Sequence, residues 1–460
     1  MSQVAQTEPA APVQPFPSSF WVANSTELFE RAAYYSMASF VVIYLGRLGM
    51  GIYWPAYLNS SVLWFLVYFL PILSGTVADQ IGFRRALLGA FVVLAAGYFL
   101  MGYPVWIGGK VMADQISREV TAGPGIFIPI VAGVLLIGIG GSFVKPTISG
   151  TVQKTHGGRA TLAFAIFYMI INIGAVVGRL VAYNVRTRWA NLSLIFAVAL
   201  VACIVAFLFV LFGYWEPAVE NRTGPKKSVG QILLNMVLVL RNVRFALFLL
   251  VSSGFWFIYN QVYNVLPLYA KKVVEPNPAM DLYTMANPIT VVCFQLLITR
   301  LFGKMKPIRS IIVGTVLIGL SMAINLVPIY ASGGIRSLVL NWLPLGSVFI
   351  ILTVTFIAFG ELFTSARTYE WIGALSRKGQ EGLFLGYVNL PIAIGAELSG
   401  LIGPVIFDKV MCKGATTRAD GLLDLAPSSA ATGWLILVAI GFASAASMWF
   451  YNRWLERQTS

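Results

Sequence analysis

Apolar residues recur along the chain in membrane-length runs separated by short polar stretches. A segment of about 20 apolar residues crosses the bilayer core, and twelve such segments can be marked: 18–47, 58–79, 84–105, 124–153, 159–185, 189–214, 243–270, 283–303, 308–331, 338–375, 382–407 and 428–454. The pattern predicts an all-α integral membrane protein. The first segment is interrupted in a regular way. Glu27, Glu30, Arg31, Tyr34 and Tyr35 follow i, i+3, i+4, i+7, i+8, which puts two carboxylates, a guanidinium and two phenols on one stripe of a helix. Charge at that depth is costly in lipid, so the stripe is expected to face a cavity and to mark a pathway for ions or substrate.

The twelve segments fall into two sets of six. Between the sixth and seventh lies the most polar interior stretch, from Glu216 and Pro217 to Lys226 and Lys227. The domain plan is therefore a disordered cytoplasmic tail (1–17), an N-terminal six-helix bundle (18–214), a cytoplasmic linker (215–242), a C-terminal six-helix bundle (243–454) and a second cytoplasmic tail (455–460). The first tail is rich in Pro and Ala and lacks the basic start and cleavage pattern of a signal peptide. Residues 229–241 are too short and too closely flanked by base to span, and are expected to lie along the inner membrane surface.

Composition agrees with a membrane class. Apolar residues make up 58% and charged residues 11%, with a mean hydropathy of +0.79, whereas a soluble domain would carry about 25% charged residues. The net charge of +14 is topological. Bases such as Arg84, Arg85, Lys154, Lys226, Lys227, Lys304, Lys306 and Arg453 gather in loops on one side. On the other side Asp114, Glu119, Glu275, Asp281, Asp408, Asp420 and Asp424 offset them. The basic side is read as cytoplasmic, with both termini inside a cell membrane. Scattered over loop ends, the bases call for no nucleic-acid partner. Cys203, Cys293 and Cys412 share no close spacing, and the single histidine, His156, sits in a short basic loop. Neither a disulfide framework nor a metal cluster is indicated, so no enzyme, cofactor or metal is expected.

Four basic residues remain inside or near the spans: Arg31, Lys145, Arg179 and Arg367. Glu27, Glu30, Glu361, Glu370 and Glu397 come close to balancing them, as buried charge requires. Lys145 follows Gly138, Gly140 and Gly141 in span four. Tyr168, Asn172, Ala175 and Arg179 form one face of span five. In span eight Asn287 precedes Pro288, which frees a backbone carbonyl. Span ten contributes Glu361, with Ser365 one turn on. Taken singly, the amides and hydroxyls could be interhelical glue, and the charges a static ion-pair network.

Two resemblances give these residues an order. The stretch Gly75 to Arg85 resembles the loop 2–3 motif of the major facilitators, which are built from two six-helix bundles; it implies a cytoplasmic latch between Asp79 and Arg85, with Gln80 where the motif has arginine. From span one to span eleven the chain resembles the proton-coupled oligopeptide transporters. The resemblance is carried by Glu27 to Ser36 (Glu-x-x-Glu-Arg … Tyr-Tyr), Tyr68 and Pro71, Lys145-Pro146 with Ser149, Phe167-Tyr168 with Asn172 and Gly174, and Gly360-Glu361-Leu362-Phe363 with Ser365. Phe255-Trp256, Gln261 and Asn287-Pro288 are weaker matches.

The resemblance implies a symporter that imports di- and tripeptides with protons by alternating access, acting as a monomer with protons as coupling ion. Glu27, Glu30, Arg31, Lys145 and Glu361 would couple protons. Lys145 would pair with Glu361 when substrate is absent, Arg31 and Lys145 would face the peptide carboxylate, and Glu361 with Asn172 and Asn287 the amino group. Tyr34, Tyr35, Tyr68, Tyr168, Asn260 and Ser365 would complete the pocket. Other cargo, such as a modified peptide or another small organic ion, or a non-transporting receptor on the same fold, are the alternatives. The chain departs from the family at the outer gate, where Ala38 and Asn260 replace an expected ion pair. Arg179 and Glu397, in the outer parts of their spans, are expected either to contribute to a substitute outer contact or each to reach interfacial water.

Overall fold

The computed structural model describes residues 15–155, 160–216, 230, 231, 234, 238, 240–331, 334–339, 341–375 and 387–459, with backbone alone at 76, 79, 160–162, 164, 165, 366, 373–375 and 459. Most of the expected tail 1–17 and of the linker with its surface helix, together with His156, lie outside the described residues.

Among the described residues twelve spans follow one another. Span one is broken into Ser18–Ala38, Val41–Leu45 and Gly46–Met50. The others run Tyr53–Gly75 continued by Pro71–Ile81, Phe83–Trp106, Pro124–Thr155, Ala160–Trp189, Leu194–Gly213, Val243–Val274, Met280–Phe302, Pro307–Tyr330, Leu345–Leu375, Leu390–Met411 and Pro427–Thr459. Eleven described helices are long and apolar enough to cross a membrane. Ser18–Ala38 falls outside that group because it carries Glu27, Glu30 and Arg31, the same charges that single it out chemically. The protein is a multi-pass membrane protein.

Several ends differ from expectation for local reasons. Span two starts at Tyr53 rather than 58. Span ten starts at Leu345 rather than 338, because Leu338–Val339 pairs antiparallel with Leu343–Pro344 in a small hairpin. Asn341 takes the left-handed conformation in its turn (φ 62°), which Asn tolerates better than most residues. A second hairpin pairs Thr416–Thr417 with Leu423–Asp424. Span one stops at Gly49 (φ 91°) and Gly51 (φ 73°). The carbonyl of Gly49 accepts hydrogen bonds from the backbone N–H groups of Thr121 (2.8 Å) and Ala122 (3.0 Å), so the outer loop is strapped across the end of the helix.

Within the N-terminal half, span one packs against spans five and six, and span three against four and six; in the other half, span nine packs against ten and twelve, and seven against eleven and twelve. Small residues set the closest approach, as is usual between helices in lipid. At Gly178 of span five an added Cβ would lie 2.4 Å from the Ala32 carbonyl oxygen. Gly178→Val is expected to push spans one and five apart at a cost of about 1–3 kcal/mol, the usual range for overpacking. A lower melting temperature in detergent would show it, and an unchanged one would contradict this close approach.

The two halves are joined across their outer parts by polar contacts. Ser39 Oγ and Thr284 Oγ1 lie 2.8 Å apart, Ser60 Oγ donates to Asn264 Oδ1 (2.9 Å), Ser61 Oγ to the Glu397 carbonyl (2.7 Å), and Arg186 is paired with Asp281. The structure is thus closed at the ends of the spans read as outer. Toward the opposite ends the contact between the halves is apolar: Phe69, Ile72 and Leu73 of span two pack on the cluster that holds Phe245, Tyr387 and Val388.

Candidate functional site

The stripe on span one is buried as a unit. Glu27, Glu30 and Arg31 are 0%, 1% and 6% exposed. Arg31 Nε donates to Glu30 Oε2 at 2.5 Å and lies 3.4 Å from Glu27 Oε1. Neither oxygen of Glu27 accepts a hydrogen bond among the described residues. The guanidinium also faces the rings of Tyr34 (5.3 Å to the centroid) and Tyr35 (5.9 Å). Span five can back this cluster because Gly174 has no side chain; a Cβ there would meet Arg31 Cβ at 2.7 Å.

Tyr34 opens onto an aromatic group. Trp64 of span two, which the sequence reading does not single out, lies 6.3 Å from Tyr34, 5.4 Å from Tyr68, 6.5 Å from Tyr259 and 5.1 Å from Tyr263, centroid to centroid. The indole N–H of Trp64 and the hydroxyl of Tyr34 are buried without a hydrogen-bond partner among the described residues. On span four, Lys145 Nζ sits 5.8 Å from the Tyr68 ring centroid. Across the interior, Asn287 Nδ2 donates to Glu361 Oε2 at 3.0 Å, so spans eight and ten meet at the carboxylate. Ser365 is half-buried one turn on.

Some expected pairings are not made. Lys145 and Glu361 do not form an ion pair within 4.0 Å among the described residues: Tyr68 holds the cation and Asn287 the carboxylate. Asn172 Nδ2 bonds back to the Tyr168 carbonyl at 2.9 Å, and Tyr168 is about half exposed. Asn260 is fully buried, with Nδ2 tied to the Trp256 carbonyl at 2.8 Å. Arg367 and Glu370 do not belong to the central network. They pair with each other at 2.6 Å, and Arg367 Nη2 donates to the Gly303 carbonyl at 2.7 Å, beyond the end of span eight.

The proposed contact between Arg179 and Glu397 is absent in this outward-closed arrangement. Arg179 Nε donates instead to Thr284 Oγ1 (3.0 Å), Nη1 to the Ala175 carbonyl (3.1 Å) and Nη2 to Tyr263 OH (3.4 Å), while Tyr35 lies under its guanidinium (4.6 Å). Arg179 does join the halves across the outer gate, but through Thr284 and Tyr263. Glu397 contributes only its backbone carbonyl there, to Ser61.

Two acids assigned to outer loops instead join the two halves. Asp281, in the first turn of span eight and fully buried, accepts from Arg186 of span five at 3.2 and 3.3 Å. Asp408 of span eleven accepts from Tyr53 OH (2.5 Å) and from Arg118 Nη2 (2.8 Å). Its charge holds the Arg118 guanidinium, in the outer loop, above its ordinary pKa. Both acids stand at the ends of apolar runs, where a sequence pattern cannot tell a loop from a buried first turn. Asp281→Asn leaves Arg186 without its counter-charge and is expected to weaken outer closure by about 1–3 kcal/mol. Electron–electron distance measurements between outer labels on spans five and eight should then show a second, more separated population; a single unchanged distance would contradict the role.

On the opposite side, the side chain of Asp79 lies outside the described residues and Arg85 is exposed, so the expected latch has no described geometry. A different contact holds this corner. Glu216, at the start of the expected linker, accepts from the backbone N–H groups of Phe83 (2.7 Å) and Arg84 (2.9 Å), while Arg84 Nη2 donates to the Leu211 carbonyl (2.7 Å). A carboxylate at the first free N–H groups of a helix satisfies donors that have no partner within it.

Fold and site together define a twelve-span helical membrane protein with two halves closed over a charged interior. The chain belongs to the Major Facilitator Superfamily, whose family pattern matches residues 34–396. Among solved structures it is similar to the POT family transporter PepTSo (TM-score 0.71, 18% identity, 97% of this chain and 99% of that one) and to a peptide transporter POT in complex with sulfate (TM-score 0.71, 19% identity, 97% and 96%). It therefore has their fold. In sequence it is 27% identical over 208 residues to dipeptide and tripeptide permease B of Aliivibrio fischeri (strain MJ11), covering 44% of this chain and 36% of that protein. It is 30% identical over 202 residues to the di-/tripeptide transporter of Lactococcus lactis subsp. cremoris, covering 41% and 35%. These alignments span about a third of the relatives' length.

Proposed function

We propose that the protein is a proton-coupled symporter that takes up di- and tripeptides across a cell membrane by alternating access, with both termini on the cytoplasmic side. The observation that carries this reading is the placement of opposite charges around one interior. Arg31 and Lys145 stand on the N-terminal half, and Glu361, held by Asn287, on the C-terminal half. A zwitterionic peptide needs both signs facing each other at its own length. The similar permeases and the shared fold support the same reading, and the protein's solitary action and proton coupling belong to this proposal.

Proton coupling is assigned to the span-one cluster. Glu30 is locked to Arg31, whereas Glu27 shares that guanidinium at longer range with no hydrogen bond to its oxygens. A peptide carboxylate arriving at Arg31 competes with both, and a displaced glutamate in a buried site gains by taking a proton. Glu30→Gln should remove gradient-driven accumulation of a labelled dipeptide in proteoliposomes while sparing counterflow exchange. Full gradient-driven uptake by this variant would exclude Glu30 from the coupling step.

A further inference from the structure

We propose that Arg179 is a substrate-contacting residue that selects cargo carrying a second negative charge, of which a peptide with an Asp or Glu side chain is the simplest case. The inference rests on the peptide reading and adds to it the class of peptide.

Arg179 is 1% exposed, yet every group it touches is neutral: a threonine hydroxyl, a tyrosine hydroxyl, a backbone carbonyl and a tyrosine ring. No carboxylate lies within 4.0 Å of it among the described residues. The other arginines buried or half-buried in the spans have a carboxylate partner: Arg31 has Glu27 and Glu30, Arg47 has Asp114, Arg186 has Asp281 and Arg367 has Glu370, while Lys145 rests on the Tyr68 ring and Lys271 on the Pro276 carbonyl. A buried cation without a counter-ion is expensive to keep. It is explained if the counter-ion arrives with the substrate.

The position fits. The Tyr35 ring lies 4.6 Å from the Arg179 guanidinium carbon and 5.9 Å from that of Arg31, so the two cations border one ring. Tyr263, a partner of Arg179, packs on Trp64, which packs on Tyr68, which carries Lys145. Arg179 thus stands at the outer margin of the same interior. Two of its partners, Thr284 and Tyr263, belong to the opposite half. Opening the outer side removes both and leaves the guanidinium with a carbonyl and a ring, its N–H groups free for an entering anion. A planar guanidinium takes a carboxylate with two parallel hydrogen bonds.

The charge balance points the same way. Arg31, Lys145 and Arg179 stand against Glu27, Glu30 and Glu361. Binding one proton leaves the interior with a net single positive charge. A neutral zwitterion does not change that charge, whereas a peptide with one acidic side chain cancels it. Its terminal groups would engage Arg31, Lys145 and Glu361, leaving the side-chain carboxylate for Arg179.

The test is competition binding to the full-length protein in lipid vesicles, using Ala-Ala, Ala-Glu, Ala-Lys and glutarate. Ala-Glu should bind at least about tenfold more tightly than Ala-Ala, as one added charge-assisted contact implies, with Ala-Lys weakest. Arg179→Gln should bring the Ala-Glu to Ala-Ala ratio close to one, and Arg179→Lys should keep part of it. A wild-type ratio of one, or a ratio that survives in Arg179→Gln, overturns the inference while leaving peptide transport intact. Should no dipeptide bind while glutarate binds and is lost in Arg179→Gln, the anion site stands and the peptide reading fails. Binding of neither ligand class overturns both.

Discussion

Arg31→Ala is expected to abolish transport and to destabilise the fold together. Two carboxylates, 0% and 1% exposed, depend on this guanidinium. Glu30 has its shortest contact with Arg31, and neither oxygen of Glu27 accepts a hydrogen bond among the described residues. Removing one partner of a buried ion pair costs about 3–5 kcal/mol, mainly because the other charge is left uncompensated. The protein is expected to lose thermal stability by that order, and the uncompensated glutamates to take up protons, so that the cluster no longer responds to pH. Arg31→Lys should recover stability in part, since an ammonium supplies charge without the guanidinium's fixed geometry. Melting temperature in detergent and dipeptide uptake, measured on the same preparations, check both halves of this expectation. A variant that keeps wild-type stability and wild-type uptake would remove Arg31 from the centre of the account.

Glu361→Gln is expected to have the second-largest effect, and of a different kind. Glu361 receives Asn287 across spans eight and ten, and a glutamine of similar shape can keep that contact. The fold should therefore survive. What is lost is the negative wall facing Lys145 and the substrate's amino group. An ammonium brought into the interior without its counter-charge loses about 2–5 kcal/mol of binding. Dipeptide affinity should fall by at least about thirtyfold, while an N-acetylated dipeptide, which carries no ammonium, should lose much less. Equal losses for the free and the acetylated peptide would mean that Glu361 does not receive the amine.

The fold and the cluster on span one were legible in the sequence because lipid makes both conspicuous. Long apolar runs mark spans, and Glu27, Glu30 and Arg31 stand out because nothing else in their run is charged. The same cost keeps them together in the folded chain: helical spacing put them on one stripe, and within it Arg31 meets Glu27 one turn back at 3.4 Å and Glu30 at 2.5 Å. Glu361 and Lys145 were legible for the same reason. Only the family resemblance set Asn287 beside Glu361, 74 residues away, and nothing pointed to Thr284, 105 residues from Arg179, because no local spacing encodes which amide or hydroxyl a charge will meet. Arg179 and Glu397 were matched by sign and depth. Depth along a helix does not fix the side it faces, and the structure turned Arg179 toward span eight. Asp281 and Asp408 were hidden for the opposite reason: at span ends an acid costs little, so it carried no signal of burial. Glu216 was hidden by distance, 133 residues from the N–H of Phe83 that it caps.

The central claim is that a proton gradient drives a peptide through this interior. Its most direct test is uptake of a labelled dipeptide into proteoliposomes holding the purified protein, with the outside more acid than the inside. The account predicts accumulation above the external concentration, lost when a protonophore collapses the gradient and absent from Glu30→Gln. Uptake at the same rate and to the same level with and without the gradient would contradict it.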